Sequence, residues 1–121
     1  MQKRNGGVST KKSHDRRQAH DALVDNIILT LSRMGIMAWQ HKTGVATIKG
    51  RIVKYGLIGS SDIVAIMRNG MFWGIEVKTG SAKQEPQQKL FEMAVKRRNA
   101  HYTVARSIDD VINYYISIGN P

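Results

Sequence analysis

The sequence predicts an α/β fold: one domain with a mixed β-sheet flanked by helices on both faces. Three observations carry that prediction. Apolar residues recur at helical spacing in three stretches, with short strand-like runs between them. The chain has 121 residues, the length of a single domain. Hydrophobic residues make up 41% of it, enough to fill a core.

The elements follow in order. Residues 1–13 (MQKRNGGVSTKKS) are basic, carry Gly6-Gly7 and have almost no apolar content, so they are expected to form a disordered arm ahead of a single domain over 14–121. The first helix is predicted from His14 to Met34. Ala19, Leu23, Ile27, Leu31 and Met34 mark one face, Ser13 can cap its start, and Gly35 can end it. Ile36 to Gln40 reads as a strand. His41 to Gly44 reads as a loop or hairpin tip, and Thr47 to Tyr55 as a second extended segment. Asp62 to Met67 and Met71 to Lys78 are two further strands, with a turn at Asn69-Gly70. After the polar stretch Thr79 to Glu85, Pro86 suits the first turn of a helix. That helix turns Leu90, Phe91, Ala94 and Val95 inward and Lys89, Lys96, Arg97 and Arg98 outward. His101 to Ala105 is a short strand, and Ser107-Ile108-Asp109-Asp110 opens a last helix in the manner of a capping box. The order is roughly α-β-β-β-β-α-β-α. Trp39, Trp73 and Phe91 are expected in the core.

Charge narrows the function. Nineteen Lys and Arg face nine Asp and Glu, a formal charge of +10, and a domain this basic usually meets polyanions. With no cysteine there is no disulfide framework and no thiolate metal site. No apolar stretch is long enough to span a bilayer and no signal-peptide pattern opens the chain, so no membrane partner and a cytoplasmic location are expected.

The chemistry concentrates in GSSDIVAIM and MFWGIEVK. Asp62 begins one apolar run, and Glu76-Val77-Lys78 ends the next. Charged groups in such surroundings are costly unless paired or bound to a metal. Two carboxylates can hold a hard divalent cation, and a lysine beside them can orient water or stabilise charge on a phosphate. The alternative is a surface salt bridge on a half-exposed strand. Glu76 and Lys78, two apart, point to one face. Asp62 joins them only if the strand connection has odd length or the strand carries a bulge. A two-residue Asn69-Gly70 turn pairs Asp62 with Val77. A three-residue loop, Arg68-Asn69-Gly70, pairs Met67 with Met71 and Asp62 with Glu76, and puts Gly70 where positive φ is needed.

The stretch GLIGSSDIVAIMRNGMFWGIEVKTG, followed by a Gln-bearing helix, resembles the VRR-NUC family of PD-(D/E)XK nucleases. TLSRMGIMAWQHKTG and VARSIDDVINYY extend the resemblance over residues 20 to 115. It implies a restriction-endonuclease-like sheet. It also implies that Asp62 and Glu76 bind Mg2+ or Mn2+ together with the backbone carbonyl of Val77, that Lys78 is catalytic, and that Gln88 helps organise the site. Two departures stand out. Ser61 replaces the family's Pro before the Asp. The Glu that the family offers on its first helix is absent; His20 falls at that position, with Asp21 one step away, as further candidate metal ligands.

The resemblance implies a metal-dependent, structure-selective endodeoxyribonuclease. Small stand-alone members are similar to phage-encoded homodimers that cut four-way (Holliday) junctions, which implies branched DNA as partner, a role in DNA repair, and a bacterial or phage-infected cell. A restriction-type duplex endonuclease and a non-catalytic basic DNA-binding module are the alternatives. Lys42, Lys49, Arg51 and Lys54 are candidate phosphate contacts; a solvated strand face is the other reading of them.

Overall fold

A computed structural model describes the backbone of residues 2–121 and the side chains of residues 12–121. The elements run α1 (Gln2–Arg33), β1 (Met37–Gln40), β2 (Gly44–Ile48), β3 (Arg51–Tyr55), β4 (Ile63–Ile66), β5 (Phe72–Val77), α2 (Pro86–Arg97), β6 (His101–Ala105) and α3 (Ile108–Ser117). Four strands form one sheet in the order β1-β4-β5-β6. β4 lies antiparallel between β1 and β5, and β6 lies parallel to β5 after the α2 crossover. This is the predicted mixed α/β architecture.

Strand alternation sorts the sheet into two faces. Ile63, Ala65, Trp73, Ile75 and Val77 are buried with Val24, Ile27 and Leu31 of α1 and Val111 and Tyr115 of α3. Trp73 stacks on Tyr114 and Tyr115 at centroid distances of 5.5 and 5.6 Å. Its indole N–H donates to Thr103 Oγ1 at 2.9 Å, so the ring is buried without a stranded donor. The other face is covered by α2, where Phe91 meets Tyr102 at 6.1 Å. That cover is partial. Met37 and Trp39 share the face with Ile66 and Val64 by cross-strand pairing, and Met37 and Trp39 remain 66% and 42% exposed. Trp39 is therefore not a core residue. Neither is Leu90, at 64% exposure: one helix over four strands leaves the β1 side of this face open.

Two boundaries differ from expectation. α1 begins at Gln2, not His14, so its helical backbone includes residues 2–13, where the composition favours a disordered arm. The segment Thr47 to Tyr55 is not one strand. Lys49 (φ 51°) and Gly50 (φ 75°) form a two-residue turn with both residues in the left-handed region, and β2 and β3 pair across it as a separate hairpin. Among the described residues, five strands, not four, precede α2.

The β4–β5 connection takes the odd-length form that the sequence demanded. Met67 N–H donates to Met71 O at 2.9 Å, Gly70 N–H donates to Met67 O at 2.8 Å, and Gly70 has φ +89°. The ladder pairs Ile66 with Phe72, Ala65 with Trp73, Val64 with Gly74 and Ile63 with Ile75. One step further, the same register sets Asp62 opposite Glu76.

Candidate active site

Along an antiparallel ladder, hydrogen-bonded and non-bonded pairs alternate. Met67 and Met71 are a bonded pair, so Ile63 and Ile75 are another, and Asp62 and Glu76 fall at a non-bonded position, where side chains approach most closely. An unbroken ladder would bond Val77 to Ser61 next. Instead, Val77 N–H donates to Asp62 Oδ2 at 2.8 Å. Ser61 turns its hydroxyl to donate to Ile63 O at 2.8 Å. The two strands part here, and the Asp62 carboxylate hangs on the β5 backbone at the mouth of the gap.

Glu76 is only 2% exposed. Its Oε2 accepts from Gln88 Nε2 at 2.7 Å and lies 3.5 Å from Lys78 Nζ. Gln88 is itself fixed: its Oε1 accepts the Glu85 N–H at 2.8 Å, at the N-terminus of α2. That contact settles the orientation of the amide, leaving its NH2 to face Glu76. Both donors serve Oε2. Oε1 is buried and has no hydrogen-bond partner among the described residues. Burial, then the nearby Asp62 carboxylate, push the Glu76 carboxyl up to about 8, against the opposing pull of Lys78.

His20 reaches the same place from α1. Its Nε2 lies 3.1 Å from Val77 O and 3.4 Å from Asp62 Oδ2. Facing two oxygen acceptors, Nε2 acts as a donor here. Asp21, 59% exposed at its side chain, stands 3.5 Å from the other ring nitrogen, Nδ1. It lies behind the imidazole rather than on the Asp62 side. Of the two candidates on α1, His20 touches the expected metal-binding atoms, and Asp21 is placed to orient it.

Asp62, Glu76, Lys78, Gln88, Val77 O and His20 thus converge from α1, β5, α2 and the residue preceding β4. Among the described residues, no three His, Asp or Glu side chains form a metal-holding cluster by themselves. The set nonetheless fits a hard cation, which takes backbone carbonyls and water as well as carboxylates. The buried, partnerless Glu76 Oε1 is the open valence such an ion would fill.

A groove of about 340 Å³ leads to Asp62. His41, Lys42, Thr43 and Tyr55 line it from the hairpin side, and Glu85, Gln87 and Gln88 from the start of α2. Lys42 therefore borders the site. Lys49, Arg51 and Lys54 sit exposed on the hairpin. Tyr55 was read only as the end of an extended segment; the packing of the hairpin and α2 brings it and Gln87 to the groove.

A solved structure described as a VRR_NUC domain superposes with a TM-score of 0.59, covering 80% of this chain and 97% of that one at 21% identity. The chain has the VRR-NUC fold. No protein-family model matches the sequence, and no curated protein matches it. Within the VRR-NUC fold seen here, the parted ends of β4 and β5 hold the carboxylates, α2 supplies Gln88, and α1 closes the gap with His20. No helix among the described residues is long and apolar enough to cross a membrane.

Proposed function

We propose that the protein is a metal-dependent endodeoxyribonuclease that hydrolyses phosphodiesters in branched DNA, four-way junctions included, as a two-fold homodimer. One observation carries the reading. The odd-length β4–β5 loop brings Asp62 and Glu76 onto one face beside Lys78, and the buried Glu76 Oε1 is left without a partner. A buried carboxylate normally spends both oxygens on donors; among the described residues this one holds Oε1 back.

Asp62, Glu76 and the Val77 carbonyl would hold the ion, Mg2+ or Mn2+, with His20 Nε2 as a further ligand. Bound there, the ion would neutralise charge on the phosphate and acidify water. The chain's own groups do the rest. Lys78 Nζ, paired to Glu76 at 3.5 Å, orients the attacking water or the developing oxyanion. Gln88 fixes Glu76 Oε2 so that the second oxygen keeps its aim. Exposed lysines and arginines of the +10 chain hold the DNA backbone. A four-way junction has paired scissile strands, and each protomer holds one site, so a two-fold dimer suits it.

Four-way junction, flap, duplex and single-stranded DNA of equal length, incubated with Mg2+, Mn2+ or EDTA, test this. Cleavage of branched substrates only with metal is expected. Preferential cutting of unbranched duplex would favour a restriction-type enzyme, and metal-independent binding without cleavage a DNA-binding module.

A further inference from the structure

The β2–β3 hairpin belongs to neither the main sheet nor the core, and its surface is unusual. A soluble ribbon normally turns polar side chains to water. Here apolar residues emerge on both faces. Val45 and Ile52 accompany Lys54 on one side; Ile48, Val53 and Tyr55 accompany Arg51 on the other. Ile48 and Ile52, on opposite faces near the Lys49-Gly50 turn, are 54% and 76% exposed. A two-stranded ribbon is marginal by itself in water, so such a surface implies a covering partner.

Charge selects that partner. Residues 41–58 contain Lys42, Lys49, Arg51 and Lys54 and no Asp or Glu. A second copy meeting this ribbon across a two-fold axis would set these cations against an identical set, on a chain already at +10. A nucleic acid offers the opposite charge along its rails. It offers apolar faces only where bases are unstacked; in an intact duplex the faces are hidden, and opening a step forfeits its stacking energy. A branch point presents such faces without that cost.

The base of the ribbon borders the groove. Gly44 leaves room for the Tyr55 ring, and a side chain at Gly56 (φ +76°) would collide with the Lys42 carbonyl, so the hairpin base is closely packed. Tyr55 and Lys42 line the groove that leads to Asp62.

We propose that the β2–β3 hairpin reads DNA branch points, with Lys42, Arg51 and Lys54 on phosphates and Ile48 and Ile52 packed on base faces exposed at the branch. The inference rests on the proposed nuclease function and supplies its selectivity. It is tested in EDTA, so that no cleavage intervenes. Fluorescence anisotropy gives Kd for a labelled four-way junction and for a duplex with the same number of phosphates, with wild-type protein and with Ile48→Ser/Ile52→Ser. The wild type should prefer the junction by about tenfold or more, and the double variant should lose most of that ratio. Ile48→Leu/Ile52→Leu should keep it. A 2-aminopurine at the branch should change emission on binding wild-type protein, a readout that needs no variant. An unchanged ratio in the Ser variant, no preference in the wild type, or a silent 2-aminopurine overturns the inference. So does a sedimentation shift from dimer to monomer in the Ser variant, which would make the hairpin a contact between copies. Junction preference without any metal-dependent cleavage would leave the hairpin inference standing and refute the nuclease reading alone.

Discussion

Replacing Glu76 by Gln should stabilise the metal-free protein at alkaline pH while abolishing cleavage. The carboxyl is 2% exposed and pushed up to about 8, by burial first and by Asp62 second. A carboxyl raised in the folded state favours folding below its unfolded value and loses that contribution as pH climbs through the folded one. The window runs from the ordinary 4.5 to about 8. At about 1.4 kcal/mol per pH unit, its upper bound is on the order of 5 kcal/mol, of which relaxation and water entry leave a few. The amide introduced by Glu76→Gln keeps an oxygen for Gln88 and Lys78 and carries no charge to bury. Urea denaturation in EDTA between pH 5 and pH 9 should show wild-type stability falling relative to Glu76→Gln by a few kcal/mol. Added Mg2+ should raise the wild-type midpoint at pH 8 and leave the variant's unmoved. Parallel pH profiles for the two proteins would refute the buried, strained carboxylate on which the site is argued.

Asp62→Ala and Lys78→Ala should each abolish cleavage yet retain DNA affinity within about threefold, measured by gel shift in EDTA, since phosphate contacts supply most of the binding. Wild-type affinity should fall by roughly 10³-fold or more between 50 and 200 mM salt; a flat response would contradict phosphate-dominated contact. Gln88→Ala should slow cleavage about 10- to 100-fold and weaken Mn2+ activation, because Glu76 loses the donor that aims it; a kcat within twofold of wild type would remove Gln88 from the site. Gly74→Ala would bring a methyl 2.8 Å from Ser61 Oγ and 3.3 Å from Tyr102, so thermal denaturation should show a loss of about 1–3 kcal/mol.

The β4–β5 register was legible because three signals agreed: two short apolar runs bounded by charged residues, a Gly where positive φ is required, and two carboxylates that make sense only on one face. The β2–β3 hairpin was not, because its turn is Lys49-Gly50 and a lysine rarely adopts φ 51°. Gly50 inside a β-branched run was the available sign. Trp39 and Leu90 illustrate a different limit. Periodicity says which residues share a face but not whether anything covers it, and a single helix leaves the β1 side bare. The choice between His20 and Asp21 depends on a one-residue rotation of α1 against the end of β5. Only the packed structure fixes that, by setting His20 Nε2 at 3.1 Å from Val77 O.

The most direct test follows strand scission of a labelled four-way junction by wild-type protein and Glu76→Gln, side by side, as Mn2+ is titrated from zero in a chelator-buffered series. Cleavage that rises with Mn2+ in the wild type, is abolished by EDTA and stays absent in Glu76→Gln at every concentration is the predicted result. Equal cleavage by the two proteins, or wild-type cleavage that persists in EDTA, would contradict the assignment of Asp62, Glu76 and Lys78 as a metal-dependent hydrolytic site.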